Sequence, residues 1–383
     1  MKNNIKVLFC VRSDFFTKIG GDTILVNSYM EDLRQKGVVC DATVEFDGFS
    51  LDYDIFHIIN LDRPLETYIQ LKYIFRHLQK PIIFITPIHH DVDQIYRMNK
   101  SSDISFIRLL WKIVNSYNAI ELLKNIVRIF RLKTTFARKI SYLFHQRISC
   151  TVQQRFIMNH VDKILLVSDY EKFLIEKDLN IKVDAKKCTN VPNGINSELI
   201  NNIHIPDERE GILFVARIES RKNQLALLNI ADKVPYHITF VGQANPNQQK
   251  YYAKFISKVN SIDNVSYIPG LPQKDLFEMI AKSKLHILAS YVEVSPLIDT
   301  AVIALGCNVI TTVNSSVKGE FQNENVIYLD FTEITPEIIV EMYNKETNES
   351  LMTRVRREYD SKAISDKLFS LYTEELTCIY GAK

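Results

Sequence analysis

The chain of 383 residues lacks the features that mark several large protein classes. Its cysteines, Cys10, Cys40, Cys150, Cys188, Cys307 and Cys378, are scattered, with no Cys-x-x-Cys pair and no histidine spacing that suits zinc. Buried free thiols in a reducing compartment are expected instead of a disulfide framework. No stretch reaches the ~20 apolar residues of a membrane-spanning helix. The apolar start, residues 5–11, is too short for a signal-peptide core. An excess of one charge is also missing: 47 Lys+Arg face 45 Asp+Glu, a formal net charge of +2. A dedicated nucleic-acid binder is strongly basic, so no nucleic-acid partner is expected. No Gly-x-Gly-x-x-Gly follows any strand, which argues against a dinucleotide-binding dehydrogenase. What remains is globular composition, 46% hydrophobic and 24% charged, with the length of two domains.

Short apolar runs alternate with helical stretches from the start. Residues 5–11, 38–46, 55–59 and 82–86 read as strands, with helices over 22–36 and 65–79. Gly37 ends the first helix where a helix C-terminus favours glycine. The second half repeats the grammar, with strands at 212–215, 237–241, 265–268, 285–289 and 309–312. Helices are expected between them at 223–233, 251–260, 273–281 and 297–305. Such alternation implies parallel βαβ units. The Pro192-Asn193-Gly194 turn separates the halves. The expected fold class is therefore α/β, with two doubly wound, Rossmann-like domains facing across a cleft and ligand at the C-terminal ends of the strands. We place the boundaries at 1–192 and 193–361, with a C-terminal helix, 362–383, returning to complete the first domain. Leu368, Leu371, Tyr372 and Leu376 would form its buried stripe.

Residues 105–147 break this pattern. They hold nine basic residues, among them Arg108, Lys112, Lys124, Arg128 and Arg131, against one acid, Glu121. Ile107, Leu110, Trp111 and Val114 share one helical face, as do Leu123, Ile126, Val127 and Phe130. A basic amphipathic helix pair suits an anionic membrane surface. The competing reading packs the apolar stripe on the domain and leaves the cations solvated.

Five segments carry a family resemblance: Lys18-Ile19-Gly20-Gly21; Thr86-Pro87-Ile88-His89-His90; Val191-Pro192-Asn193-Gly194-Ile195-Asn196; FVARIESRKN at 214–223; and SYVEVSPLIDTAVIALG at 290–306. In this order and spacing they make the chain resemble a GT-B glycosyltransferase of the retaining family four, the glycosyl transferases of group 1. Glycines at Gly20 and Gly21 permit close backbone approach, and the helix they open favours an anion at its N-terminus. Arg217 and Lys222 supply a guanidinium fork and a point charge for a departing diphosphate. The resemblance implies that Glu293 contacts the donor sugar hydroxyls and that Val294, Ser295, Pro296 and Leu297 meet the phosphates. It adds Asn193 and Leu271 to the donor-binding set and puts a histidine, His89 in preference to His90, near the reacting carbon. His89, Glu293, Arg217 and Lys222 are thus the candidate catalytic residues. Asp54 and His57 match a structural "DxxH" strand. Two positions depart from the family pattern. Ala216 replaces a usual glycine, and Ala301 stands where a second glutamate grips the ribose, with Asp299 the nearest carboxylate.

The expected activity is transfer, with retention, from a nucleotide diphosphate sugar to a hydroxyl of a lipid-linked or glycan acceptor, without metal or other cofactor. The expected setting is bacterial surface polysaccharide (O-antigen or capsule) assembly on the inner face of the cell membrane. Two alternatives follow from the same residues: a non-catalytic partner in a glycan assembly complex, suggested by Ala301, and a sugar-nucleotide 2-epimerase.

Overall fold

Short apolar strands joined through helices build two all-parallel sheets in this protein, whose computed structural model describes residues 5–101 and 117–380. The chain divides into two compact units. The first comprises Met1–Val92, Asn99–Pro192 and Lys362–Lys383, and the second Asp93–Met98 and Asn193–Ser361.

In the first unit, β1 (Lys6–Cys10), β2 (Val39–Thr43), β3 (Ile55–Ile59), β4 (Ile82–Thr86), β5 (Lys163–Leu166) and β6 (Cys188–Asn190) lie in the order β2-β1-β3-β4-β5-β6. The central strands IFHII and IIFIT are buried throughout, the signature of a parallel strand covered on both faces. The C-terminal helix Ser361–Tyr380 buries Ile364, Leu368 and Tyr372 against Val7, Phe9 and Phe84, with Leu371 and Leu376 only half-buried there. His57, within β3, bonds Tyr372 Oη at 2.6 Å through Nδ1 and Thr86 Oγ1 at 2.9 Å through Nε2. Burial lowers its pKa to about 3, so His57 is a neutral strut between strand and helix.

The second unit contains β7 (Ile212–Val215), β8 (Ile238–Val241), β9 (Val265–Ile268), β10 (Leu285–Ile287), β11 (Asn308–Thr312) and β12 (Val326–Leu329), ordered β12-β11-β10-β7-β8-β9. Successive connections run in opposite directions from β7, so the switch point lies between β7 and β10; in the first unit it lies between β1 and β3.

Local reading of residues 223–233 as one helix fails. Asn223 turns left-handed (φ 56), the helix Gln224–Leu228 is short, and Ala231–Lys233 is a 3-10 turn. The Asn264 amide donates to the carbonyls of Ala231, Val234 and Tyr236, which hold that turn from outside the segment. Ile107, Arg108, Leu110, Trp111, Lys112 and Val114 lie outside the described residues. The rest of the basic segment forms the helices Tyr117–Arg131 and Phe136–Phe144. Most of its stripe does not pack inward: Leu123, Val127 and Phe130 are exposed and Ile126 is half-buried, whereas Ile120, Glu121, Asn125 and Ile129 are buried. Among the described residues no helix is long and apolar enough to cross a membrane.

Candidate functional site

The loops that follow β7 and β10 flank the switch point of the second sheet, so topology alone brings 216–222 and 288–296 together. Two backbone contacts fix them. Tyr291 N donates to Arg221 O at 2.9 Å, and Glu293 N donates to Asn314 O at 2.9 Å beside a bridge between Glu293 and Ser315. Gly242 lies against the same loop. A Cβ there would fall 2.0 Å from Ala216 O, so the glycine at 242 provides the clearance in which Ala216 fits.

Charge is concentrated at this point. Lys222 Nζ donates to Glu293 Oε1 at 2.5 Å, and Arg221 Nη1 to Glu293 Oε2 at 3.3 Å. Glu219 stands 3.4 Å from Arg221 and 3.6 Å from Arg217. Arg217, Arg221 and Lys222 therefore face two carboxylates, an excess of one positive charge. Burial works to raise the Glu293 pKa, but Lys222 and Arg221 outweigh it and hold it at about 2. Burial works against the charge on Lys222, lowering its pKa, and Glu293 opposes that. Arg217 is the most open of the three, with its side chain 39% exposed. Such an array can receive an anion. Arg221 was missed in the sequence, where it sits unmarked between the two basic positions that were read.

Around this cluster, Asn193 Nδ2 donates to Ser295 O at 3.3 Å, and its buried Oδ1 has no partner among the described residues. Val294 and Pro296 are buried, while Ser295, Leu297 and Leu271 are half-buried. The two residues weighed for a ribose contact face elsewhere. Ala301 is 4% exposed and lies in the core with Val302, Leu305 and Val309. Asp299 is equally buried and accepts from Thr311 Oγ1 at 2.5 Å, with His286 Nδ1 3.7 Å from its other oxygen. Burial pushes the Asp299 carboxyl up to about 7, with Glu293 adding to the shift and the Thr311 hydrogen bond opposing it. Asp299, the carboxylate nearest to position 301, is a buried group of the helix Leu297–Ala304.

The first unit carries a second charged group of residues. His89 is fully buried, and its Nδ1 and Nε2 donate to Asp62 Oδ1 at 2.7 Å and Asp178 Oδ2 at 3.0 Å. Burial alone would lower the His89 pKa, but Asp62 and Asp178 reverse this and raise it to about 10. With both ring nitrogens held by carboxylates, His89 has neither a free lone pair nor an open face. Of the two histidines named from the sequence, His89 is thus the enclosed one. His90, bonded through Nδ1 to Asp62 at 2.7 Å, keeps a quarter of its side chain exposed. Between Pro87 and His89, Ile88 adopts φ 49, a left-handed conformation costly for a β-branched residue. The clamp of Asp62 on both histidines stabilises that turn.

Gly20 precedes the helix Gly21–Gln35, as expected, yet the group behind it was not anticipated. Buried Arg12 donates from Nε to Asp22 at 2.5 Å and from Nη1 to Asp14 at 2.7 Å. A Cβ on Gly20 would press on the pinned Asp22 Oδ1 at 2.8 Å.

Comparisons agree with this architecture. The family model described as glycosyl transferases group 1 matches residues 196–339, which include Arg217, Lys222 and Glu293. No curated protein matches the chain by sequence. Among solved structures, the sucrose-phosphate synthase of Thermosynechococcus elongatus superposes with a TM-score of 0.69 at 13% identity, covering 98% of this chain and 100% of that one. Anabaena HepE in complex with UDP gives a TM-score of 0.65 at 11% identity, over 97% and 100% of the two chains. A glycosyltransferase from Rickettsia africae gives a TM-score of 0.61 at 13% identity, over 98% and 99%. The glycosyl transferases group 1 match thus falls within the second unit, and the two parallel sheets are those of the GT-B fold.

Proposed function

We propose that this protein is a retaining transferase that moves a sugar from a nucleotide diphosphate sugar to a hydroxyl of a lipid-linked or glycan acceptor. The observation that carries the reading is the cluster of Arg217, Arg221 and Lys222 around Glu293 at the β7/β10 switch point, inside the family match. In this reading Glu293, already ionised, accepts from the sugar hydroxyls, and the cations beside it take up the charge that grows on the diphosphate. Three fixed cations serve as counter-charge, so the proposal includes no metal. The bond from the anomeric carbon to the phosphate oxygen breaks, and the diphosphate leaves with the electron pair. The acceptor oxygen bonds on the same face, and its proton passes to the departing phosphate. Retention itself is carried by the family resemblance. HepE, 11% identical, is described in complex with UDP and with UDP-glucose, which recommends uridine donors as the first to test.

The setting we propose is surface polysaccharide assembly at the cytoplasmic face of an anionic membrane. Supporting it, Leu123, Val127 and Phe130 on one helix and Phe136, Ile140 and Phe144 on the next are exposed at helical spacing, beside Arg131, Lys133 and Arg147. Exposed apolar residues flanked by cations complement acyl chains beneath anionic headgroups.

The test is a panel of sugar nucleotides read by thermal shift, followed by transfer from the stabilising donor and assignment of the product anomer by NMR. One donor should raise the melting temperature, since it binds only the folded state, and the product should keep the donor's anomeric configuration. An inverted product would exclude the retaining mechanism. No stabilisation by any sugar nucleotide would favour the non-catalytic partner reading.

A further inference from the structure

The helix Pro64–His77 and the helix Phe136–Phe144 flank a half-open cavity of about 310 Å³ in the first unit, at the small end of the range for ligand pockets. Its walls bring together Lys72, Arg76 and His77 from one helix with Arg138 and His145 from 61 or more residues later, and hold one acid, Asp47. The cavity does not belong to the donor cluster, which lies in the other unit. Nor does it lie at the ligand end of its own sheet. The helix Pro64–His77 follows β3 and runs back antiparallel to it, so Arg76 and His77, at its last turn, sit far from the strands' C-terminal ends.

The charges in this cavity are unbalanced. Asp47 Oδ1 accepts from Tyr142 Oη at 3.1 Å and lies 3.5 Å from Arg138 Nε. Lys72 rests over the rings of Phe156 and Tyr68, and among the described residues neither it nor Arg76 makes an ion pair. His77 Nδ1 donates to Tyr73 O at 2.8 Å and His145 Nδ1 to Ser141 O at 2.9 Å, which leaves Nε2 as the acceptor or second donor of each ring. Gly48, at φ 76, lets the Arg138 guanidinium lie over the chain, since a Cβ there would fall 2.8 Å from Nη2. Three cations around one occupied carboxylate suit a phosphate ester. On its opposite side the helix that supplies Arg138 exposes Phe136, Ile140 and Phe144.

We infer that this cavity receives the phosphate headgroup of an anionic membrane lipid, while the exposed apolar stripe on the other face of the same helix enters the acyl layer. The inference rests on the membrane reading above and adds to it a headgroup site that a diffuse basic surface lacks.

The test is sedimentation of the full-length protein with phosphatidylglycerol/phosphatidylcholine vesicles. Glycerol phosphate is the soluble competitor, and sodium chloride keeps the ionic strength constant. The parent should bind, and glycerol phosphate should displace it. Replacing both exposed arginines (Arg76→Gln with Arg138→Gln) should weaken binding roughly 25-fold, about 5-fold per cation, and abolish the competitor's effect. Phe136→Ser with Phe144→Ser should weaken vesicle binding yet leave direct titration with glycerol phosphate unchanged. If the parent binds vesicles but neither competitor nor pocket substitution matters, this inference falls and the membrane reading stands. If the parent titrates with glycerol phosphate but binds no vesicle, the lipid assignment falls. If it binds neither, both readings fall.

Discussion

The two charged clusters of this molecule look alike in sequence and differ in physics. Around His89, two carboxylates close on both ring nitrogens of a fully buried imidazole, and Glu171 accepts from the His89 backbone at 2.8 Å. Acids outnumber the buried cation, and both ring nitrogens of His89 are used. Around Glu293 the balance is reversed. Three cations share two carboxylates, and Arg217 reaches outward with its side chain only loosely engaged, 3.6 Å from Glu219. A closed, satisfied network stabilises a turn, whereas an incomplete one with excess charge retains affinity for something else. Counting partners, and not counting charged residues, separates the closed cluster from the open one.

The largest effect that can break this comparison is on the closed cluster. His89→Gln should destabilise the protein by about 3–5 kcal/mol, the usual cost of leaving buried charges unpaired, measured by denaturant titration. The pH dependence has a definite sign. The folded pKa of His89 is raised from 6.5 to about 10, so its contribution is complete below pH 6.5 and is lost as pH rises toward 10. The gap in melting temperature between parent and variant should therefore narrow at alkaline pH; a constant gap would mean that the imidazole is not charged.

Next comes Lys222→Ala, which should cut turnover about 10²–10³-fold through the lost charge on the diphosphate. An open, solvated Lys222 would leave stability untouched when replaced. Its side chain is only 13% exposed and pairs with a buried glutamate, so a loss of folding stability should accompany the loss of activity. Full activity in a folded variant would remove Lys222 from the site.

Ala301→Glu follows. Were the position open to the donor, a glutamate there would tighten nucleotide binding. Packed among Val302, Leu305 and Val309, the larger side chain should instead cost about 1–3 kcal/mol from overpacking alone, and nucleotide affinity should not rise. Tighter binding with unchanged stability would show that the helix presents 301 to the ligand. The smallest structural effect belongs to Arg217→Gln, whose stability should stay within ~0.5 kcal/mol of the parent, as for an exposed site. Its activity should nonetheless fall, which distinguishes a residue that serves the ligand from one that serves the fold.

Much of this was legible in the chain itself. The runs IFHII and IIFIT declare central parallel strands because continuous apolar residues have no other covered place in an α/β fold, and Gly37 marks its helix end through its left-handed φ of 83. Arg217 and Lys222 of FVARIESRKN and the carboxylate of Glu293 stood out through the family resemblance, whereas Arg221 between them did not. Strands β5, β6 and β12 were not read from the sequence.

What local pattern left open was direction and partnership. Adjacent histidines are equivalent on paper until Ile88 turns left-handed and sends His89 into two carboxylates, with His90 left partly in solvent. Asp299 and Ala301 look like neighbours of a ribose until the helix Leu297–Ala304 faces both into the core. Arg76 and Arg138 are 62 positions apart and become one cavity only when two helices pack. Residue type sets what a side chain can do, and that is written locally. Burial, the sign of the net charge around a group and the number of its satisfied hydrogen bonds depend on segments distant in sequence, and only packing determines those.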